Sequence, residues 1–221
     1  MATAMVAFVS QKGGVGKSTL ARALAAVAAG AGQSVCIADL DTQQATVTNW
    51  AKTREKNRHE PRIEVRQFGS AAEALGCDDF DLLIVDAPAR ASVGTLEIAR
   101  RADLVVQPTR ASVDDLHPAI IVFHELIGQG IPKSKLAIAL FQIATPAEEI
   151  AAREYVSKAG YEVLPGMLPD RPAYRQLQNI GLAVTETKSA TPLEKNTGEL
   201  IAAIMARVRK GAKSRPGQAR A

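Results

Sequence analysis

The chain has 221 residues, 47% of them apolar and 23% charged, which suits one soluble domain around a real core. Two cysteines, Cys36 and Cys77, stand without metal or redox spacing, so a disulfide scaffold or thiol enzyme is not indicated. The net charge of +4 is local. The last sixteen residues hold Arg207, Arg209, Lys210, Lys213, Arg215 and Arg220 with no acid, and without those six the remaining 21 basic residues face 23 acidic ones. Such an end suits nucleic acid or anionic lipid, and equally plain solvation.

In chain order, strands are expected at Val6–Ser10, Val35–Asp39, Ile63–Arg66, Leu82–Asp86, Leu104–Pro108 and Leu136–Ile143, with a short one near Glu162–Leu164. Most are continuous apolar runs, as strands buried on both faces of a parallel sheet read. Helices are expected at Lys17–Gly30, Thr46–Arg58, Ser92–Arg101, Val113–Ile127, Ala147–Ala159, Tyr174–Asn179 and Pro192–Arg209. This alternation predicts an α/β fold: a doubly wound, mostly parallel sheet with helices on both faces. Residues 1–210 read as a single domain, and 211–221 as a basic, disordered tail. The N-terminus lacks a basic n-region, and no apolar run reaches the length of a membrane span, so a cytoplasmic protein is expected.

After the first strand comes Gln11-Lys12-Gly13-Gly14-Val15-Gly16-Lys17-Ser18-Thr19, opening the first helix. That is the context a phosphate-binding loop requires. Glycines let the backbone curl so that its N–H groups point at phosphate oxygens, and the helix adds its positive end. Lys17 would neutralise the β/γ-phosphates, and the Ser18 hydroxyl would face Mg²⁺. The ordinary pattern wants glycine where Gln11 stands. The loop instead carries a second lysine, Lys12, before the double glycine. Two carboxylates, Asp39 and Asp41, close the second strand beside this loop, where ligands sit in open α/β sheets. Leu82–Asp86 is an apolar run ending in aspartate, about seventy residues after the loop. It reads as the strand whose carboxylate, Asp86, holds Mg²⁺ through water.

The Lys12–Ser18 stretch resembles the signature of the ParA/MinD superfamily of deviant Walker A P-loop ATPases, and is similar in particular to small plasmid-partition ParA proteins. The resemblance runs from Val6 to about Val208. It implies ATP and Mg²⁺ as ligands, with Gly13, Gly14, Val15, Gly16, Lys17, Ser18 and Thr19 around the nucleotide and Pro169 in the loop at the base. It also implies that Lys12 crosses a homodimer interface to the partner's nucleotide. Asp39-Leu40-Asp41-Thr42-Gln43 resembles the family's D-x-D-P-Q element, with Thr42 for proline. By that match Asp41 orients or activates the attacking water, and Asp39 supports the metal site. Pro88 falls in the switch turn, and Asp114 matches the aspartate facing the dimer partner. A helix-capping role for Asp39, and a helix-dipole role for Asp114, are the alternatives.

The implied activity is slow, partner-stimulated ATP hydrolysis, with non-specific DNA and a ParB-like centromere-binding protein as partners and the nucleoid as location. Candidate DNA contacts are Arg171, Arg175, Lys195, Arg207, Arg209 and Lys210, each of which also reads as a solvated charge. Two alternatives stay open. One is a MinD-like membrane-surface ATPase, its marker being Leu200, Ile201, Ile204, Met205 and Val208 at helical spacing. Aromatic anchors are lacking there, so membrane binding is not the expectation. The other is a metabolic ATPase on the same fold.

Overall fold

The computed structural model describes residues 3–89, 93–187 and 192–214. Seven parallel strands form one sheet in the order β3-β2-β4-β1-β5-β6-β7. They are β1 (Ala4–Ser10), β2 (Val35–Asp39), β3 (Glu64–Gln67), β4 (Leu82–Ala89), β5 (Leu104–Thr109), β6 (Leu136–Ile143) and β7 (Leu168–Pro169). The helices are α1 (Lys17–Gly30), α2 (Thr46–Lys56), α3 (Ala71–Leu75), α4 (Val93–Arg101), α5 (Val113–Gly128), α6 (Pro146–Lys158), α7 (Pro172–Asn179) and α8 (Pro192–Lys213).

The central strands are buried along most of their length because their two faces enter two different cores. Along β1, Met5, Ala7 and Val9 pack under α3, α4, α5 and α6, while Val6 and Phe8 pack under α1, α2, α7 and α8. Alanines at 0% exposure in α1, among them Ala21, Ala25 and Ala28, let that helix lie close on the sheet. The apolar stripe of α8 (Leu200, Ile201, Ile204, Met205, Val208) is buried in the same layer. No described helix is long and apolar enough to cross a membrane.

Several expected boundaries are corrected. The last strand is β7; the stretch expected as a strand at Glu162–Leu164 makes one isolated bridge, Ile138 to Val163. β4 runs on through Pro88 to Ala89, beside Ser10 across a register shift, so Pro88 stands in a strand extension where a turn was expected. The unforeseen α3 is one short turn-length helix started by Ser70, whose side chain accepts from the Glu73 N–H, a capping pattern present in the sequence. α8 continues to Lys213 and takes in the start of the expected tail, while Arg215–Ala221 lies outside the described residues. The expected helix start at Ser92 also lies outside them.

A tightly packed hub joins α2 to the segment before α8. The Arg54 side chain, 3% exposed, makes two bonds to the Glu186 carboxylate, at 2.7 and 2.8 Å. It also donates to the carbonyls of Pro61 and Gly181. Two guanidiniums, of Arg22 and Arg54, each lie 5.5 Å from the Trp50 ring centroid, and the indole N–H donates to the Leu182 carbonyl.

Candidate nucleotide site

The loop between β1 and α1 sits at the carboxyl edge of the sheet, where strands β1, β2, β4 and β5 end together. Gly14 (φ 72°) and Gly16 (φ 104°) take the left-handed backbone that turns the loop's N–H groups inward. A Cβ on Gly16 would come within 2.3 Å of the Phe141 ring, so β6 closes the loop from the side. Lys17 is buried and its ammonium donates to the Lys12 carbonyl at 3.4 Å. Burial lowers its pKa, and the negative fields of Asp86 and Asp41 oppose that.

Asp86 is 2% exposed and lies close to Ser18. Burial pushes its pKa to about 7; the nearby Ser18 side chain works against this and the neighbouring Asp39 adds to it. Its Oδ1 is buried with no hydrogen-bond partner among the described residues. A carboxylate oxygen without a partner, beside a hydroxyl at the mouth of a phosphate loop, fits a Mg²⁺ ion held through Ser18 and, by way of water, Asp86.

Asp39 is 0% exposed, and both its oxygens are committed to the protein. Oδ1 accepts from the Asp41 N–H at 3.1 Å; Oδ2 accepts from the Thr48 N–H at 3.0 Å and hydroxyl at 2.8 Å. The residue before α2 is Ala45, whose side chain cannot cap, so Asp39 supplies the missing acceptor from across the loop. These bonds are those of the capping alternative for Asp39, which also lies beside Asp86. Asp41 is half-buried, ties the loop through the Gln44 N–H at 3.0 Å, and lies within the field of Lys17.

Lys12 is turned out of the cradle. Its ammonium bonds the Asp115 carboxylate at 2.8 Å and the Asp114 carbonyl, both at the start of α5. That carbonyl is free because its helical partner would be residue 118, and Pro118 has no N–H. Burial raises the Asp115 pKa, but hydrogen bonds from Lys12 and Ser112 prevail and hold it below the usual range. Asp114 thus contributes its backbone to Lys12, and Asp115, one residue on, contributes the carboxylate. Arg110 completes the contact between this segment and the loop by donating to the Gly14 carbonyl at 3.2 Å.

Thr19 and Pro169 line a separate cleft with Phe141, Gln142, Tyr174 and Gln178, beside the phosphate loop and away from Asp86. Gln178 donates to the Thr19 hydroxyl at 3.2 Å, which spans the cleft. The sequence reading missed Asp115, Arg110, Phe141 and Arg22. Arg22 is 5% exposed behind the site, donates to the Thr46 carbonyl at 2.8 Å and has its pKa lowered to about 10, by burial against the pull of Asp86 and Asp39. In the sequence it reads as one more helix charge. The expected DNA contacts do not form one group. Arg171 and Arg175 line the cleft beside Thr19 and Pro169, paired with Glu194 and Asp170, and Lys195 lies in the first turn of α8. Arg207, Arg209 and Lys210 end α8, about 20 Å further along the helix axis.

A family model for the CobQ/CobB/MinD/ParA nucleotide binding domain matches residues 6–214. The chain belongs to that family. No curated protein matches it in sequence. Among solved structures, the cell division ATPase MinD of Pyrococcus furiosus is similar with a TM-score of 0.73 at 16% identity, covering 91% of this chain and 98% of that one. MinD of Pyrococcus horikoshii, complexed with Mg-ADP, gives 0.74 at 14% identity over 96% of this chain and 99% of that one. A plasmid partition protein of Borrelia burgdorferi B31, bound to AMPPNP, gives 0.72 at 14% identity over 93% and 99%. At these identities the CobQ/CobB/MinD/ParA likeness is one of fold, and both cell-division and partition proteins share it.

Proposed function

We propose that this protein is a partition ATPase: it binds ATP with Mg²⁺, dimerises across the nucleotide face, binds DNA non-specifically, and is reset when a ParB-like partner stimulates hydrolysis. The observation that carries this is the division of labour between two lysines. Lys17 lies inside the cradle, while Lys12, half exposed at 41%, is held outside it where a second subunit could be reached.

In this reading Lys17 and the loop N–H groups hold the phosphates, and Gly13 to Thr19 fix their position. Mg²⁺, when bound, draws negative charge from the β- and γ-phosphate oxygens. Ser18 and Asp86 hold it. Asp41, at the rim, orients the water whose oxygen attacks the γ-phosphorus as the bond to the bridging oxygen breaks. Lys12 leaves Asp115 and meets the partner's nucleotide. Pro88 and Asp114 lie where the two subunits face each other, and Pro169 lies at the adenine.

Membrane recruitment through α8 is disfavoured by the burial of its apolar stripe. The test is co-sedimentation with plasmid DNA in ATP, in ADP and without nucleotide, for wild type and Lys12→Ala. Binding that needs ATP and is lost in Lys12→Ala is expected. Absence of binding in every state, with ATP binding intact, would overturn the proposal.

A further inference from the structure

We infer that Cys36 and Cys77 form a redox-active dithiol, which peroxide closes to a disulfide that staples β2 to the segment after α3. The inference goes beyond the partition reading and does not depend on it. The chain's two cysteines stand far apart in sequence, which hides the pairing. The fold brings them together. Cys36 on β2 and Cys77 just after α3 are 0% and 7% exposed and belong to one core cluster. They lie close enough for the Cys77 thiol to act on that of Cys36.

A third side chain closes over them. In the sheet Cys36 pairs with Glu64 of β3, and Ala38 pairs with Arg66. Residues two apart on a strand share a face, so Arg66 rises on the same side of the sheet as Cys36. Its Nη1 donates to the Cys77 sulfur at 3.6 Å. Phe80 and Glu64 hold it there, with the guanidinium 5.0 Å from the Phe80 ring centroid and Nε 3.1 Å from the Glu64 carboxylate. Buried cysteines commonly serve as small apolar filling. Filling alone gives no reason for two thiols to meet, or for a guanidinium to be aimed at one of them. Among the described residues no third His, Cys, Asp or Glu joins the pair as a metal-holding group, so the arrangement suits oxidation rather than chelation.

The two thiols divide the work. Arg66 sets positive charge against the Cys77 sulfur, where negative charge gathers as that sulfur attacks. Burial, helped by the neighbouring thiol, pushes the Cys36 pKa to about 12, so Cys36 keeps its proton and waits. Cys77 attacks one oxygen of hydrogen peroxide. An S–O bond forms, the O–O bond breaks, and the other oxygen leaves as water with the thiol proton. The Cys36 sulfur then attacks the sulfur of this sulfenic acid. The S–S bond forms, the S–O bond breaks, and the oxygen leaves as a second water with the Cys36 proton. The two sulfurs give up two electrons and the peroxide takes them. A dithiol reductant reverses the bridge by exchange.

The ring so closed contains the Asp39–Asp41 loop, α2, β3 and α3, while the phosphate loop and Asp86 lie outside it. The full chain is tested by treatment with hydrogen peroxide, then thiol counting and intact mass in denaturant, with thermal melts before and after dithiothreitol. Both thiols are expected to vanish together in a monomer. A cross-link closing a loop of about forty residues should raise the melting temperature by about 10 °C, and dithiothreitol should reverse the rise. ATP binding is expected to be unchanged. Cys36→Ala should stop at a sulfenic acid on Cys77, trapped by dimedone, with no rise in melting temperature. Cys77→Ala should leave Cys36 a free thiol. Arg66→Gln should slow the oxidation about fivefold, and Arg66→Lys should restore most of the rate.

Oxidation of Cys77 to sulfinic acid with Cys36 still a thiol would overturn the pairing. So would bridges found only between chains, or thiols that react only after the protein is denatured. Loss of ATP binding on oxidation would mean that the sheet had come apart rather than been stapled. Failure of the DNA co-sedimentation test leaves this inference standing, since none of its readouts involves DNA.

Discussion

Burial raises the Asp86 carboxyl to about 7, far above its value near 4 in an unfolded chain. Between those pH values the native state holds a proton the unfolded state has released. Stability of the metal-free protein therefore falls as pH rises through that window and is lowest above it, by a difference on the order of 4 kcal/mol. Asp86→Asn removes the penalty. It is expected to raise the melting temperature in chelator at about pH 8, to change little near pH 5, and to abolish magnesium-dependent nucleotide binding. Asp115 makes a second test at this scale. Asp115→Ala releases Lys12 from a half-exposed ion pair worth about 1 kcal/mol. Dimer formation, followed by light scattering over an ATP titration, is then expected at roughly fivefold lower ATP. An unchanged midpoint would show that the α5 contact does not restrain Lys12.

The entry of α2 depends on a residue from another element. Ala45 cannot cap, Thr48 at the third helical position has a donor to satisfy, and Asp39 on β2 accepts it. Asp39→Ala is expected to cost about 1 kcal/mol in urea denaturation while Mg²⁺ affinity changes much less; a loss confined to metal binding would point to the ligand role instead. The same element shows where sequence reading stops. The apolar runs place β1, β2, β4, β5 and β6, and the glycines place the phosphate loop, because both signals are local. Which oxygen of Asp39 meets which donor depends on a loop crossing between strands. Likewise Lys12 reaches the start of α5 because Pro118 leaves the Asp114 carbonyl without a helical donor and the Asp115 carboxylate stands beside it, and Phe141 abuts Gly16 because β6 lies two strands from β1. β7 escaped because two residues give no periodicity to read, whereas Ser70 and Glu73 did carry a capping signal for α3.

For the whole molecule, alternation of strands and helices announces a doubly wound sheet but leaves the strand order open. That order places β4 and β5 on either side of β1 and so decides which strand ends surround the loop after β1. Holding the chain segments to this frame falls partly to Arg54, which reaches from α2 to the segment before α8. Removing one member of such a nearly buried pair strands the other, so Arg54→Ala is expected to cost about 3 kcal/mol in urea unfolding. A cost below half of that would mean the Pro61 and Gly181 carbonyls find water readily once the guanidinium is gone.

Trp50 is the chain's one tryptophan, and it lies against Arg22, which in turn feels Asp86 and Asp39. The protein thus contains its own optical reporter. A ligand that alters the charge at Asp86 alters the field that Arg22 casts across the indole, and the colour and intensity of its emission follow. Rapid mixing with nucleotide, with no dye attached, would time the arrival of the metal and phosphates at one edge of the sheet from the light given off a short distance behind it.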